Sequence, residues 1–228
     1  SLLAMQVVAR ALAAGVTVTV RDLFAHPVIK DLAQVSTSAS AEIDQGQVEL
    51  VLPTPMGEWL RRLPGDAAQF AQHVCVRLPG AADLATIQTA VESVVGVHRV
   101  LAARRTRDDQ GRWQLVVPAR ADLPPGSSLV RLLEGAAGDL GRGKAAAAVA
   151  MLRAELDPDA GRMFLGGLGY DGHGPILMLV CHHLVIDVAS WPVLLHDLRS
   201  AWEALESGST PALLPEGASW ATWSRSLG

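Results

Sequence analysis

The side chains with the clearest chemical potential are His182, His183 and Asp187, which lie together in the sequence HHLVID. They follow the apolar run ILMLVC, typical of a buried strand, and precede a predicted helix that begins near Ser190. Because successive side chains of a strand point to opposite faces, we expect one histidine in the core and the other at a cleft. Unperturbed imidazole titrates at about pH 6.5, so the cleft histidine can act as a general base. Asp187 can either orient a ring or pair with an arginine.

The same residues make a weaker case for a metal site. His183 and Asp187 are four residues apart and His196 follows further on, but ligands with this spacing share one face only on a helix. The segment instead has the pattern of a strand end followed by a turn. The sequence therefore favours no metal ion.

From residue 51 onward the pattern is α/β, and it supplies the elements that must position these side chains. Strands are predicted in QFAQHVCVRLP, in VLAARRTR paired with RWQLVV, and over residues 163–170 and 175–183. Helices are predicted in DLATIQTAVESVVGVH, over residues 128–140 and 144–156, and from an N-cap at Ser190 to Gly208. Trp59, Trp113 and Trp202 are expected in the core.

The first 36 residues are predicted to be a separate small helical unit. A helix is expected up to Gly15, and two further helices are divided by Pro27. Leu23, Phe24, Ile29 and Leu32 are expected to close a small core there. The segment STSASAEIDQGQ that follows is small, polar and without periodicity, which is typical of a linker.

Composition excludes several classes of partner. The net charge is −4 and no basic cluster is present, so no nucleic-acid partner is predicted. No apolar run reaches the length of about 18 residues that a membrane span needs, so no membrane partner is predicted either. Cys75 and Cys181 lie in apolar strand-like runs and are expected to be reduced and buried, as in a cytoplasmic protein.

The pattern His182-His183-x-x-x-Asp187 resembles the HHxxxDG motif of the condensation superfamily of nonribosomal peptide synthetases. Three further motifs resemble the epimerization subgroup of that superfamily. They are Pro55-Met56-x-x-Trp59, Ser190-Trp191 and Ser219-Trp220-x-x-Trp223. Together the motifs cover most of residues 51–228, and the resemblance implies one chloramphenicol-acetyltransferase-like α/β lobe.

The resemblance implies that this lobe inverts the Cα of an aminoacyl or peptidyl thioester by removing and returning a proton. His183 would be the base, with His182 and Asp187 as structural residues of the active site. A glutamate on the opposite face would come from a second, C-terminal lobe, so the 228 residues are expected to be an inactive fragment alone.

Two alternatives remain open. The lobe can instead be a condensation domain that joins the cargoes of two carriers. It can also be a degenerate scaffold, because Val188 stands where the family motif has glycine, and Arg99 and Ala102 depart from the family's H-D-x-L-R segment.

The start of the chain resembles the second half of a peptidyl carrier domain, with Ser1-Leu2-Leu3 continuing its G-G-D-S-L motif. The resemblance implies that Ser1 carries a covalent 4'-phosphopantetheine arm. Residues 1–36 would then be the carrier remnant, 37–50 the linker and 51–228 the catalytic lobe. The implied partners are the carrier-bound thioester, the C-terminal lobe and neighbouring synthetase domains.

Overall fold

The computed structural model describes residues 2–38, 46–63, 67–80, 82–133, 142–216 and 219–226. Strands and helices alternate through most of this range. The strands are Val16–Thr17 (β1), Thr37–Ser38 (β2), Glu49–Val51 (β3), Ala71–Arg77 (β4), Arg104–Arg107 (β5), Trp113–Val117 (β6), Val130–Leu132 (β7), Phe164–Asp171 (β8) and Gly174–His182 (β9). The α-helices are Leu2–Ala13 (α1), Val20–Ala25 (α2), Ile29–Val35 (α3), Pro55–Arg62 (α4), Leu84–Val97 (α5), Gly126–Leu129 (α6), Arg142–Ala154 (α7), Trp191–Glu206 (α8) and Trp220–Arg225 (α9). Short 3₁₀ turns cover Ala67–Gln69, Arg99–Ala102 and Arg120–Asp122.

The central sheet has the strand order β4-β9-β8-β7. Strands β4 and β8 both pair with β9 in the antiparallel sense, and β7 pairs with β8 in the parallel sense. Strand β9 is buried on both faces because helices cover both sides of the sheet. Leu177, Leu179 and Cys181 share a core with α5 and α8, whereas Met178 and Val180 share one with α7. The continuous apolar run that predicted this strand therefore reflects two cores.

The two helices on the first face form as their sequences predict. Asp83 caps α5 by accepting a hydrogen bond from the N–H of Thr86. In α8 the apolar face of Trp191, Leu194 and Leu198 is buried. Gly208, with φ of +74°, follows the end of α8.

A second sheet has the order β3-β6-β5 and supports α4 and α9. Strand β3 pairs Glu49 with Val117, so the last two residues of the expected linker already belong to this sheet. The predicted hairpin of β5 and β6 is confirmed, with Arg107 opposite Trp113.

The helix predicted over residues 128–140 is wrong in its first part. Helix α6 ends at Leu129, and β7 then pairs with β8 through Gly166 and Gly167. Gly167 has no side chain, and this leaves the space that Leu133 occupies next to β8. A Cβ at Gly167 would lie 2.7 Å from a methyl carbon of Leu133. Residues 134–141 lie outside the described residues.

Of the four residues expected to close a small core in the first 36 residues, Leu23 and Leu32 are half-buried, whereas Phe24 and Ile29 are exposed. Helices α2 and α3 are separated at Pro27 as predicted, but neither has a buried residue. Phe24 is 65% exposed and Ile29 is 84% exposed. Of the predicted linker, Thr37 and Ser38 pair with β1, and residues 39–45 lie outside the described residues.

The two cysteines differ from expectation in one respect. Cys181 is buried but Cys75 is exposed, and both are free thiols. Strand β4 is at the sheet edge. Cys75 pairs with Met178 and Cys181 pairs with Gln72, so the two cysteine side chains lie on different faces of the sheet. Among the described residues, no helix is both long and apolar enough to cross a membrane.

Candidate active site

The candidate site lies where β4 begins and β9 ends. Ala71 pairs with His182, and one step further the N–H of His183 donates to the carbonyl of Phe70 at 2.9 Å. In this antiparallel arrangement Phe70, Gln72 and His183 are near neighbours on one face. Residues more than a hundred positions apart in the chain are thus brought together by strand register.

His182 is the fully buried histidine of the pair, with 0% exposure. Its Nδ1 accepts a hydrogen bond from the N–H of Leu184 at 3.1 Å, and its Nε2 lies 2.7 Å from the carbonyl oxygen of Ala67. Because Nδ1 accepts, Nε2 must carry the proton that is donated to Ala67. His182 is therefore a neutral ring that ties β9 to the 3₁₀ turn preceding β4.

His183 has surroundings of a different kind, consisting of an aromatic ring and an amide. The imidazole stacks on Phe70, with centroids 5.3 Å apart and planes inclined by 16°. Its Nε2 lies 3.0 Å from Nε2 of Gln72. Its Nδ1 is buried and has no hydrogen-bond partner within the described part of the chain.

Two tryptophans complete these surroundings. The indole N–H of Trp191, in the first turn of α8, donates to Oε1 of Gln72 at 2.9 Å. Trp59 of α4 contacts Phe70 edge-on, with ring centroids 5.4 Å apart. Trp59 is 48% exposed, so the expectation that it belongs to the core is wrong. The aromatic contacts therefore run from an exposed indole to the His183 ring.

Asp187 has neither of the roles expected from the sequence. Its Oδ1 accepts hydrogen bonds from the N–H of Ser190 at 2.9 Å and from the hydroxyl of Ser190 at 2.7 Å. It thus closes the turn that leads into α8. Ser190, expected to cap α8 through its side chain, uses its hydroxyl on Asp187 instead and makes no side-chain cap.

The residues that depart from the family motifs are compatible with the fold. No non-glycine residue in the described ranges has a positive φ, so Val188 is not strained where the family motif has glycine. It is 66% exposed. The buried guanidinium of Arg99 donates to the carbonyls of Gln47 and Pro118 and pairs with Glu49. Arg99 thus fastens the start of β3 to the lobe.

Sequence reasoning missed a second histidine site, at the C-terminal end of α5. The Nε2 of His98 lies 2.7 Å from a carboxylate oxygen of Asp197, and Nδ1 lies 2.7 Å from one of Glu216. Burial alone lowers the pKa of His98, but the hydrogen bonds to Asp197 and Glu216 outweigh it and raise the pKa to about 9. The imidazolium joins α5, α8 and the segment after α8.

Two further sequence expectations concern metal and cofactor binding. Among the described residues, no group of three or more His, Cys, Asp or Glu side chains is arranged to hold a metal ion. Ser1, the expected phosphopantetheine attachment point, lies outside the described residues, and α1 begins immediately after it at Leu2.

Comparison with known proteins identifies the lobe. The family model described as "Condensation domain" matches residues 59–227. The chain belongs to the condensation-domain family. It is 28% identical over its full length to a linear gramicidin synthase of Brevibacillus parabrevis, and 28% identical over 97% of its length to the nonribosomal peptide synthetase ivoA of Emericella nidulans. It spans only 4% and 12% of those two proteins, respectively.

Solved structures show the same fold for this condensation-family lobe. The epimerization domain from the third module of tyrocidine synthetase B matches 79% of this chain with a TM-score of 0.65 and 20% identity. The first condensation domain of the CDA synthetase matches 72% of it with a TM-score of 0.59 and 23% identity. This chain covers 40% of each of those chains. The predicted chloramphenicol-acetyltransferase-like α/β lobe is thereby confirmed.

Proposed function

We propose that this condensation-family lobe is part of a nonribosomal peptide synthetase epimerization domain. Its substrate would be an aminoacyl or peptidyl thioester on a carrier domain, and its reaction would invert the Cα from L to D. The observation that carries the proposal is the convergence of two epimerization-type motifs on one ring. Trp191 reaches His183 through Gln72, and Trp59 reaches it through Phe70.

His183 suits the role of a base because its contacting side chains are uncharged. Phe70 covers one face of the ring, and the Gln72 amide lies at Nε2. A neutral imidazole can accept the Cα proton while the C–H electron pair moves into the thioester enolate. Return of a proton to the opposite face completes the inversion with no net gain or loss of atoms in the substrate, and proton exchange with solvent restores His183 and the proton donor to their starting states.

The group that returns the proton is proposed to belong to a second lobe, as a glutamate facing His183. The solved relatives are more than twice as long as the matched region, which leaves room for such a lobe in them. Neighbouring synthetase domains would supply the loaded carrier. We expect the 228 residues by themselves to show no turnover.

The carrier segment and its cofactor are a further part of the proposal. Residues 1–36 would be the end of a carrier domain, with 4'-phosphopantetheine attached to Ser1. The residues around the attachment point fit an anionic group, because α1 begins at the next residue and has no acidic side chain in its first turn. The arm would supply the thiol that holds the substrate as a thioester.

The test uses the complete synthetase that contains this chain, with an L-aminoacyl group on the carrier. The released amino acid is analysed for chirality in the wild type, in His183→Ala and in His173→Ala, which alters an exposed histidine in the β8–β9 turn. A mixture of L and D residues in the wild type and the control, with only L residues in His183→Ala, would support the proposal. Retention of L in every protein would refute it.

Condensation is the second candidate, because the matching family model is described as "Condensation domain" and a solved condensation domain has the same fold. The same assay separates the two functions when a second carrier loaded with an amino acid is added. Formation of a peptide bond without inversion at Cα would favour condensation. Inversion without peptide-bond formation would favour epimerization.

A further inference from the structure

We propose that Gln72 and Trp191 position His183 for proton transfer by fixing its tautomer, with the proton on Nδ1 and the lone pair on Nε2. This inference rests on the proposed role of His183 as the base. Gln72 and Trp191 act through His183 and are positioning residues. The inference follows from the donors and acceptors along one short series of contacts.

Trp191 determines which atoms donate and which accept in these two hydrogen bonds. An indole nitrogen can only donate, so the Gln72 atom 2.9 Å from it must be the amide oxygen. The other end of the amide is then the NH₂ group, which faces His183 at 3.0 Å. Because an NH₂ group only donates, Nε2 of His183 must be the acceptor and must lack a proton.

The opposite edge of the ring does not by itself favour this tautomer. A neutral imidazole without a proton on Nε2 carries it on Nδ1. In the described residues Nδ1 is buried and finds no hydrogen-bond partner, so nothing there stabilises a proton at that atom. A buried N–H without a partner is unfavourable. The preference for this tautomer must therefore come from Gln72 at the Nε2 edge.

The backbone explains why Gln72 can perform this role. Gln72 pairs with Cys181, and His183 lies two residues further along on the same face. Such diagonal neighbours are within reach of long side chains. Trp191, the first residue of α8, is 6% exposed and its side chain packs in the core between the helix and the sheet. Its indole N–H is therefore held in a fixed direction. The packing of α8 thus determines which way the amide of Gln72 points.

The contact also defines what happens when the proposed substrate arrives. The Gln72 N–H occupies the lone pair that must take the Cα proton, so the hydrogen bond to His183 has to break at that step. Gln72 remains anchored through Oε1 to Trp191. The lone pair is therefore kept at Nε2 until substrate displaces the amide, and the amide can return when the proton has left.

The tautomer can be observed by ¹⁵N NMR of the histidine-labelled chain. We expect Nε2 of His183 to have the resonance of a nitrogen without a proton in the wild type. Gln72→Glu presents a carboxylate oxygen in place of the NH₂ group, which requires a proton on Nε2. We expect its Nε2 resonance to move to that of an N–H nitrogen.

A second variant acts without introducing charge. Trp191→Phe removes the indole donor, which frees the amide to turn and should give an intermediate, averaged resonance. Trp202→Phe is the matched control, because it lies on the same helix and its indole N–H has no hydrogen-bond partner in the described residues. An unchanged Nε2 resonance in Gln72→Glu and Trp191→Phe, or an N–H resonance in the wild type, would overturn the inference.

Activity of the complete synthetase tests the positioning role separately. We expect Gln72→Glu to lower the epimerization rate by about 10²-fold or more and Trp191→Phe by about 10-fold, with Trp202→Phe near the wild type. If the tautomer shifts while the rates stay constant, the positioning role is wrong and the proposed function stands. If the wild type does not epimerize at all, the proposed function fails while the NMR result still decides the tautomer.

Discussion

Two histidines of this lobe show how neighbouring groups determine what an imidazole can do. His98 lies between the carboxylates of Asp197 and Glu216, and its pKa is raised to about 9. His183 contacts an aromatic ring and an amide, neither of which carries charge. A ring that is already protonated at neutral pH cannot act as a base, so His98 is suited to holding elements together, whereas the uncharged partners of His183 are compatible with its proposed role as a base. The difference arises from the partners and not from burial alone.

The largest expected effect is on catalysis at His183. His183→Gln keeps a polar side chain of similar size but removes the basic nitrogen. We expect the epimerization rate of the complete synthetase to fall by roughly 10²–10⁴-fold. The free energy of unfolding should change by less than about 1 kcal/mol, measured by urea denaturation. If the variant instead loses enough stability to explain its loss of activity, His183 has a structural role like that of His98.

At His98 the expected effect is on stability. His98→Gln leaves Asp197 and Glu216 close together without the cation between them. The three side chains are partly buried, and removing one partner leaves the carboxylates uncompensated, so we expect a loss of at most about 3 kcal/mol in the free energy of unfolding. A double-mutant cycle with Asp197→Asn measures the coupling directly. Additive effects of the two changes would contradict the ion pair.

The pH dependence of stability tests the same contribution of His98 without a mutation at the ion pair. The folded pKa of His98, about 9, lies above its ordinary value of 6.5. Its stabilisation is therefore complete below about pH 6.5 and is lost as the pH rises through about 9. The loss is about 3 kcal/mol at most. The difference in unfolding free energy between the wild type and His98→Gln should shrink over this range, and a constant difference would contradict it.

The smallest expected effect concerns the turn between His183 and α8. Asp187→Ala removes the acceptor for the N–H and hydroxyl of Ser190. We expect a loss of about 1 kcal/mol in stability, as for other capping side chains. Asp187→Asn keeps an oxygen at this position and should lose less. Equal losses in the two variants would show that the carboxylate charge, and not the acceptor, stabilises the turn.

Local patterns in the sequence were sufficient for much of the fold. Helices α5 and α8 have their periodicity and terminal residues within a single segment, and β9 is a continuous apolar run. Strand β7 was missed because it depends on parallel pairing with β8, where glycines make room for it. The apolar side chains of Phe24 and Ile29 predict core positions, but the structure leaves both exposed.

The candidate site could be predicted only in part for the same reason. The histidine pair is visible as a motif, but the contacts that distinguish its members are made over long distances in the chain. Gln72 is 111 residues from His183, and Glu216 is 118 residues from His98. No periodic pattern in the sequence predicts a contact between residues so far apart in the chain. Strand register and helix packing, which the sequence does not display, bring these groups together.

The proposed role of His183 as the base is tested most directly by uptake of deuterium from heavy water at Cα of an L-aminoacyl group loaded on the complete synthetase. We expect uptake in the wild type and in His173→Ala, and a rate at least about 10²-fold lower in His183→Gln. Uptake at the wild-type rate in His183→Gln would contradict the assignment of His183 as the group that removes the proton.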